Sequence, residues 1–349
     1  MSANTFGHYF KIMSFGESHG AGLGVIIDGC PSGVNFDRNL LINELARRRP
    51  GPKDNKPSIV SDRAESDHPE VLSGVFSDVT LGTPIAILVR NKDARSTDYN
   101  EIQQKPRQGH ADDTWKLKFG HTDHRGGGRS SGRETLARVM GGAVAQMVLA
   151  KTNPQLQIFG FTTQIGPISL TADQIDDFEL KLNQHSQVDS YSTRCPIPEK
   201  NNEIERLLLQ AKSDGKSYGG EAIIIIKNPP AGLGQPVFHK LKADLCSAFM
   251  GVGATSGVEL GIGREVISAE GSQFHQNVSQ RQYGGIRGGI STGENIILKV
   301  FFKPTASVLD TAKLGRHDPC IVPRAIPVLE SMAWMVITDH ILWQRGDRV

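Results

Sequence analysis

The sequence is short of cysteine, and what it has is dispersed. Cys30, Cys195, Cys246 and Cys320 are the four in 349 residues, with no C-x-x-C pair. That pattern argues against a zinc module and fits a reducing compartment, so a cytoplasmic protein is expected. No aliphatic run is longer than Ala222–Ile226, far below the roughly 18 residues a bilayer span needs. No apolar signal core follows Met1, so neither a membrane nor secretion is expected. An excess of one charge is missing too. Lys and Arg number 39 against 37 Asp and Glu, which argues against a general nucleic-acid binder. No repeat, linker or charge run marks a boundary, so one domain over residues 1–349 is expected, although ~150 residues per domain gives a prior of two.

Glycine, by contrast, is plentiful: 38 residues, against a usual share of ~7%. It sits in short clusters between ordinary elements, where backbone N–H groups can approach a ligand closely. The pattern predicts strands over 6–15, 22–29, 70–76, 84–90, 156–164, 221–227 and 294–302. Helices are predicted over 37–48, 173–184, 201–213, 239–250 and 323–345, the last with Pro327 near its start. The clearest helix is predicted from about 132 to 151. There Leu136, Val139, Met140, Ala143, Val144, Met147 and Val148 make one apolar face. Ser131 and Glu134 fit a capping box at its start. Strands and helices mix without a βαβ rhythm, so an α+β fold is expected. Residues 91–131 carry little periodicity, and a stretch of that length beside a strong helix start reads as functional.

The first candidate motif is Gly16-Glu17-Ser18-His19-Gly20. It matches the G-x-S-x-G of a nucleophile elbow, but a strand-like Gly22–Ile27 follows where the elbow needs a helix. The turn alternatively presents His19 as a general acid or base, or is an ordinary turn with a surface histidine. The second is Gly126–Glu134, glycines, serines and two arginines at a helix N-terminus. Free backbone donors and the helix dipole favour an anion there, and no Walker lysine is present. Arg107–Asp113 places His110 in the same segment. His121 and His124 make an H-x-x-H pair without a complete ligand set, so no metal is expected. Arg47-Arg48-Arg49 ends a helix, where cations complement the dipole whether or not an anion binds. Late in the chain come Gly284–Gly293, Lys303–Ser307 and Arg316–Cys320, loops that together supply donors for a phosphate and the polar edge of a flavin-like ring. A dinucleotide fingerprint is absent, because Gly251–Gly257 misses the G-x-G-x-x-G spacing by one residue.

Seven of these segments, in this order and spanning about residues 6–345, resemble the chorismate synthase family: Gly16–Gly20, Arg47–Gly51, Gly109–Asp112, Gly128–Thr135, Gly284–Gly293, Lys303–Ser307 and Arg316–Cys320. The resemblance implies a fold with helices sandwiched between antiparallel sheets, assembled as a homotetramer. It implies loss of phosphate from 5-enolpyruvylshikimate 3-phosphate by anti 1,4-elimination, giving chorismate, the last common step of the shikimate pathway to aromatic amino acids. Reduced FMN would be required without net redox change. It would come from an external flavin reductase, with NADPH only an indirect source of electrons. By family pattern His19 protonates the departing phosphate, His110 sits by the flavin, and Asp318 assists proton removal through a flavin ring nitrogen. Arg48, Arg107, Arg133 and Arg316 hold the substrate. The resemblance assigns FMN to Arg48, Arg129, Ser130, Ser131, Gly253, Ala254, Gly288, Lys303, Pro304, Thr305, Ala306, Ser307 and Arg316.

The chemistry of the residues agrees with that implication. A substrate with one phosphate and two carboxylates, beside a flavin phosphate, calls for many cations, and arginine offers a planar fork for both kinds of anion. Departing phosphate gains charge, so a protonated imidazole beside it is most valuable in the transition state. Three departures from the family pattern stand out. Pro52-Lys53-Asp54-Asn55-Lys56 replaces a second arginine after Arg48, Gln108 replaces a proline, and only eight residues separate Ser307 from Arg316. A serine hydrolase using Ser18 and an RNA-binding protein using Arg125–Arg133 stay open as other classes.

Overall fold

A computed structural model describes residues 3–49, 59, 67–91, 109–123, 125–276, 280–306, 308–309 and 318–347. Two five-stranded antiparallel sheets enclose a helical layer. The first sheet uses β1 (Thr5–Phe6), β2 (Lys11–Phe15), β3 (Gly22–Asp28), β4 (Pro69–Ser73) and β7 (Ile85–Arg90), in the order β1-β2-β3-β7-β4. A small hairpin, β5 (Val75–Phe76) with β6 (Val79–Thr80), lies between β4 and β7 in sequence. The second sheet uses β8 (Gln157–Ile165), β9 (Ile168–Ser169), β10 (Gly220–Lys227), β11 (Thr255–Leu260) and β14 (Ile296–Phe302), in the order β11-β14-β10-β8-β9. A second hairpin joins β12 (Ile286–Arg287) to β13 (Ile290–Ser291).

The two sheets bury their side chains differently, and the sequence shows why. Along β2 and β3, Ile12, Val25 and Ile27 point inward while Met13 and Ile26 are exposed. Alternation of that kind marks a sheet with one face on the core. In β10 the whole run Ala222–Ile226 is buried, because both faces of the second sheet are covered. Helix Val322–Gln344 packs on it from inside the sandwich. Phe178, on helix Ala172–Lys181, meets Phe161 of β8 edge-on at 5.1 Å.

Seven helices of eight residues or more are described: α1 (Arg38–Arg48), α2 (Asp112–Phe119), α3 (Thr135–Thr152), α4 (Ala172–Lys181), α5 (Pro198–Asp214), α6 (Leu241–Met250) and α7 (Val322–Gln344). Asp37 caps α1 by accepting from the N–H groups of Asn39 and Leu40. The stripe Leu41, Glu44, Leu45, Arg48 is buried, and that helical spacing carries Arg48 inward with the leucines. Helices α3 and α7 cross in near backbone contact. A Cβ on Gly142 would lie 2.4 Å from that of Ser331.

Helix α7 has the length and apolarity to cross a bilayer, yet 94% of its most apolar window is buried inside the fold. It is the central core helix. Pro327 lacks the N–H that would bond the carbonyl of Pro323, and Arg194 Nη1 donates to that carbonyl instead. Asp339, near the other end of α7, accepts the backbone N–H groups of His8, Tyr9 and Phe10 at 2.9, 2.6 and 2.8 Å.

Local expectations fail at three places. The single strands expected over 6–15 and 70–76 are each interrupted, at residues 7–10 and at Gly74, where Gly7 and Gly74 take φ of 93° and 80°. The third is the start of α3. Ser131 and Glu134 do not form a capping box. The chain enters α3 through a 3-10 turn, Gly132–Glu134, in which the Ser131 hydroxyl accepts from the Arg133 N–H. The Glu134 carboxylate turns to Arg138, one helical turn on, with both oxygens 3.1 Å from Nε.

Candidate active site

A cleft of about 850 Å³ opens between β2, the start of α3, the loop after α6, and the loops before α2 and α7. That volume lies within the usual range for ligand sites. Arg48, Arg129, Arg133, Arg138, Arg324 and Lys303 line it, against the carboxylates Glu134 and Asp318. His110, Ser130, Ser131, Gly253, Ala254, Pro304, Thr305 and Ala306 line it too. Segments far apart in sequence thus meet on one surface rich in donors and positive charge.

The cations are held in place by the protein. Arg48 is only 2% exposed. Its Nε donates to Thr135 Oγ1 at 3.0 Å, its Nη2 to the Gly132 carbonyl at 3.2 Å, and its Nη1 lies 3.4 Å from Asp67 Oδ2. Arg133 Nη1 lies 3.1 Å from the other Asp67 oxygen. One fully buried carboxylate therefore spaces two guanidiniums, and a carboxylate in that position offsets part of their mutual repulsion. Arg129 Nη1 donates to the Gly16 carbonyl at 2.9 Å, and Nη2 reaches the Ser14 hydroxyl. Lys303 Nζ donates to the Gly109 carbonyl at 2.9 Å, tying the His110 loop to the end of the second sheet. Arg138 Nη2 donates to the Gly251 carbonyl at 2.7 Å and fixes the loop that leads to Gly253 and Ala254.

His19 lies on the tight turn between β2 and β3. Gly16 begins the turn at φ 90°, and a Cβ there would sit 2.1 Å from the Gly22 carbonyl oxygen, so only glycine fits. A strand, not a helix, follows the turn, and Ser18 is 3% exposed with Oγ 3.0 Å from His19 Nδ1. The strand–turn–helix that a nucleophile elbow requires is absent here. His19 itself is partly buried and is not among the residues lining the cleft; its turn is bonded to the wall residue Arg129 through the Gly16 carbonyl. Gly288 likewise lies off the cleft, between β12 and β13. Arg107, Ser307 and Arg316, like Lys53, Lys56, Gln108 and His124, fall outside the described residues. Among the described residues no group of three or more His, Cys, Asp or Glu side chains is placed to hold a metal ion.

Asp67, Asn91, Trp115, Arg138 and Arg324 are wall or support residues that sequence patterning does not single out. Asp67 carries one signal, a φ of 40°, uncommon for a non-glycine residue, but it is visible only in the folded chain. Trp115 sits on α2, inside the segment that reads as irregular, and lines the cleft beside His110.

Such a cleft, walled by anchored guanidiniums with an imidazole and a carboxylate, is the kind in which an α+β protein binds small anions. Comparison with known proteins narrows the class. A family profile described as chorismate synthase matches residues 10–342. Chorismate synthase of Bdellovibrio bacteriovorus is 59% identical over 349 residues, covering all of both chains. That of Rippkaea orientalis is 43% identical over 98% of each chain. A crystal structure of a chorismate synthase superposes with a TM-score of 0.76 at 29% identity, covering 98% of this chain and 94% of the other. The chain belongs to the chorismate synthase family, carbon–oxygen lyases of the shikimate pathway.

Proposed function

We propose that the chain removes phosphate from 5-enolpyruvylshikimate 3-phosphate by anti 1,4-elimination, giving chorismate, with reduced FMN bound in the same cleft. The observation that carries this reading is the convergence of Arg48, Arg129, Arg133, His110, Asp318 and Lys303–Ala306 on one cleft. In the elimination a C–O bond to phosphate breaks, a proton leaves carbon, and the electron count is unchanged. Arg48 and Arg133 hold substrate anions, their charges only partly offset by Asp67. His19, on the turn bonded to Arg129 and joined to Arg133 through Asn91, supplies the proton to the departing phosphate, and Asp318 assists removal of the carbon-bound proton. His110 closes the same cleft beside Trp115.

The cleft fits a flavin mononucleotide by its size and by its donor set. Gly253 faces open space, with nothing within 4 Å of where a Cβ would be, and Ser130, Ser131 and Lys303 supply polar groups around the cleft. Arg129, Ser130, Ser131, Gly253, Ala254 and Lys303–Ala306 would hold it, with Arg48 at the boundary to the substrate. The chemistry reduced FMN supplies when bound is reducing power that the net reaction does not consume. A flavin reductase outside this chain provides it, drawing on NADPH. The chain works as one catalytic domain, in a cytoplasmic homotetramer.

Anaerobic turnover of the enolpyruvyl substrate with and without reduced FMN tests the reading. Activity should require reduced FMN and leave it reduced; stoichiometric flavin oxidation would overturn it. Two variants test the acid. His19→Ala should lose roughly 10²–10⁴-fold, the usual contribution of a positioned general acid, while Ser18→Ala keeps a measurable fraction. A dead Ser18→Ala beside an active His19→Ala would reverse the assignment.

A further inference from the structure

Asn91, just past the end of β7, uses both ends of its side-chain amide. Nδ2 donates to the Gly20 carbonyl at 2.9 Å and to those of Glu17 and Ser18 at 3.2 Å each. Oδ1 accepts from Arg133 Nε at 2.8 Å. Its backbone N–H donates to the Ala21 carbonyl at 3.1 Å. The chemistry fixes the orientation. Turned end for end, the amide would set its oxygen against three carbonyl oxygens and its NH₂ against a guanidinium.

The turn that carries His19 needs such a support. Its own Gly20 N–H bonds the Glu17 carbonyl at 3.1 Å, and Ser18 N–H reaches the Gly128 carbonyl at a long 3.4 Å. Asn91 gathers three of its carbonyls onto one group, and that same group holds Arg133, a residue of the cleft wall 42 positions away in sequence. Among uncharged side chains, only an amide sets two N–H donors at one end, for the carbonyls of the turn, and a separate acceptor oxygen at the other, for the guanidinium. An aspartate of the same shape would accept from Arg133 but repel the carbonyls of the turn.

We propose that Asn91 is a positioning residue for the elimination, setting the His19 turn in register with Arg133. The group that gives the proton and the cation that grips the anion then keep a fixed separation. The proposal rests on the reading of His19 as the acid. Register matters because proton transfer requires hydrogen-bond reach, and a misplacement of about 1 Å costs on the order of 10²-fold in rate.

A double-mutant cycle tests it, with kcat measured anaerobically at saturating substrate and excess reduced FMN. The proteins are the parent, Asn91→Ala, His19→Ala and the double variant, with thermal midpoints recorded for each. Asn91→Ala should lower kcat about 10–100-fold in the parent and less than threefold once His19 is gone. Asn91→Asp should fall as far as Asn91→Ala, and it carries the same cycle if Asn91→Ala fails to fold. Equal factors in both backgrounds, or an Asn91→Ala kcat within threefold of the parent, would overturn the proposal while leaving the acid reading intact. A His19→Ala variant within threefold of the parent would sink the acid reading, and the register proposal with it.

Discussion

Arg324 Nη1 donates to Asp318 Oδ2 at 2.6 Å, while Nε of the same guanidinium reaches the Arg48 carbonyl at 3.4 Å. One side chain of α7 thus joins the carboxylate proposed to assist proton removal to the helix end that carries a wall cation. Asp318 and Arg324 are both nearly buried, with side-chain exposures of 9% and 14%.

Arg324→Met should therefore slow turnover strongly, because it leaves the Asp318 carboxylate without this partner and free to turn away. Removing one member of a buried pair costs about 3–5 kcal/mol, and part of that should appear as lost activity. Arg324→Lys should recover part of the rate, since a charge returns without the second arm to Arg48. Turnover of Arg324→Met equal to the parent would show that Asp318 needs no such hold. Asp318→Asn should fold normally and turn over far more slowly, as its amide accepts no proton.

Arg48 is packed into the protein as well as aimed at the cleft. Arg48→Ala should lower the unfolding midpoint in urea as well as weaken ligand binding. It strips one cation from the buried Asp67 and removes the bonds to Thr135 and Gly132. Because Arg133 still faces Asp67, the stability loss should be near the low end for a broken buried pair, about 3 kcal/mol. An unchanged midpoint with weakened binding would mean that Arg48 serves the ligand alone.

The cysteines give a prediction at alkaline pH. Burial pushes the thiols of Cys30 and Cys195 up to about 11 and that of Cys320 up to about 12. Unfolded thiols ionise near 9, so between about pH 9 and 11 the unfolded chain has shed protons that the folded chain keeps. Stability from this source is fully present below pH 9 and falls as pH rises through that window. Alkylation by iodoacetamide at pH 8.5 should be at least tenfold slower at these three thiols in the native protein than in urea. Comparable rates would show that they are accessible as thiolates.

The parts of the fold that one stretch of sequence can specify were legible in it. The apolar stripe from Leu136 to Val148 marked α3, and the run around Ala222–Ile226 marked the strand expected over 221–227. The strand β11 was hidden by Gly257, and α2 by the glycines and charges around it. In the cleft, His110, Arg129, Ser130 and Lys303 were visible because each belongs to a short motif rich in glycine or cations. Asp67, Asn91 and Arg324 were not. Each is a single polar residue outside any motif: Asp67 and Arg48 are 19 positions apart, Asn91 and Arg133 are 42 apart, and Arg324 joins Asp318, 6 positions away, to Arg48, 276 away. Only the pairing of β3 with β7 brings Asn91 to the turn at His19.

The order in which the chain is made conflicts with the order in which its core is filled. The first sheet is complete by residue 90, but α7, the helix that fills the middle of the sandwich, comes last among the described elements. Asp339, which ties down His8–Phe10, is on that helix. At about 5–20 residues per second, the ribosome makes His8–Phe10 well over ten seconds before Asp339 exists to hold them. For that interval α3 can already back β2 and β3, but the face of α3 that meets α7 has no partner, and the nascent chain must stay soluble with that apolar surface open.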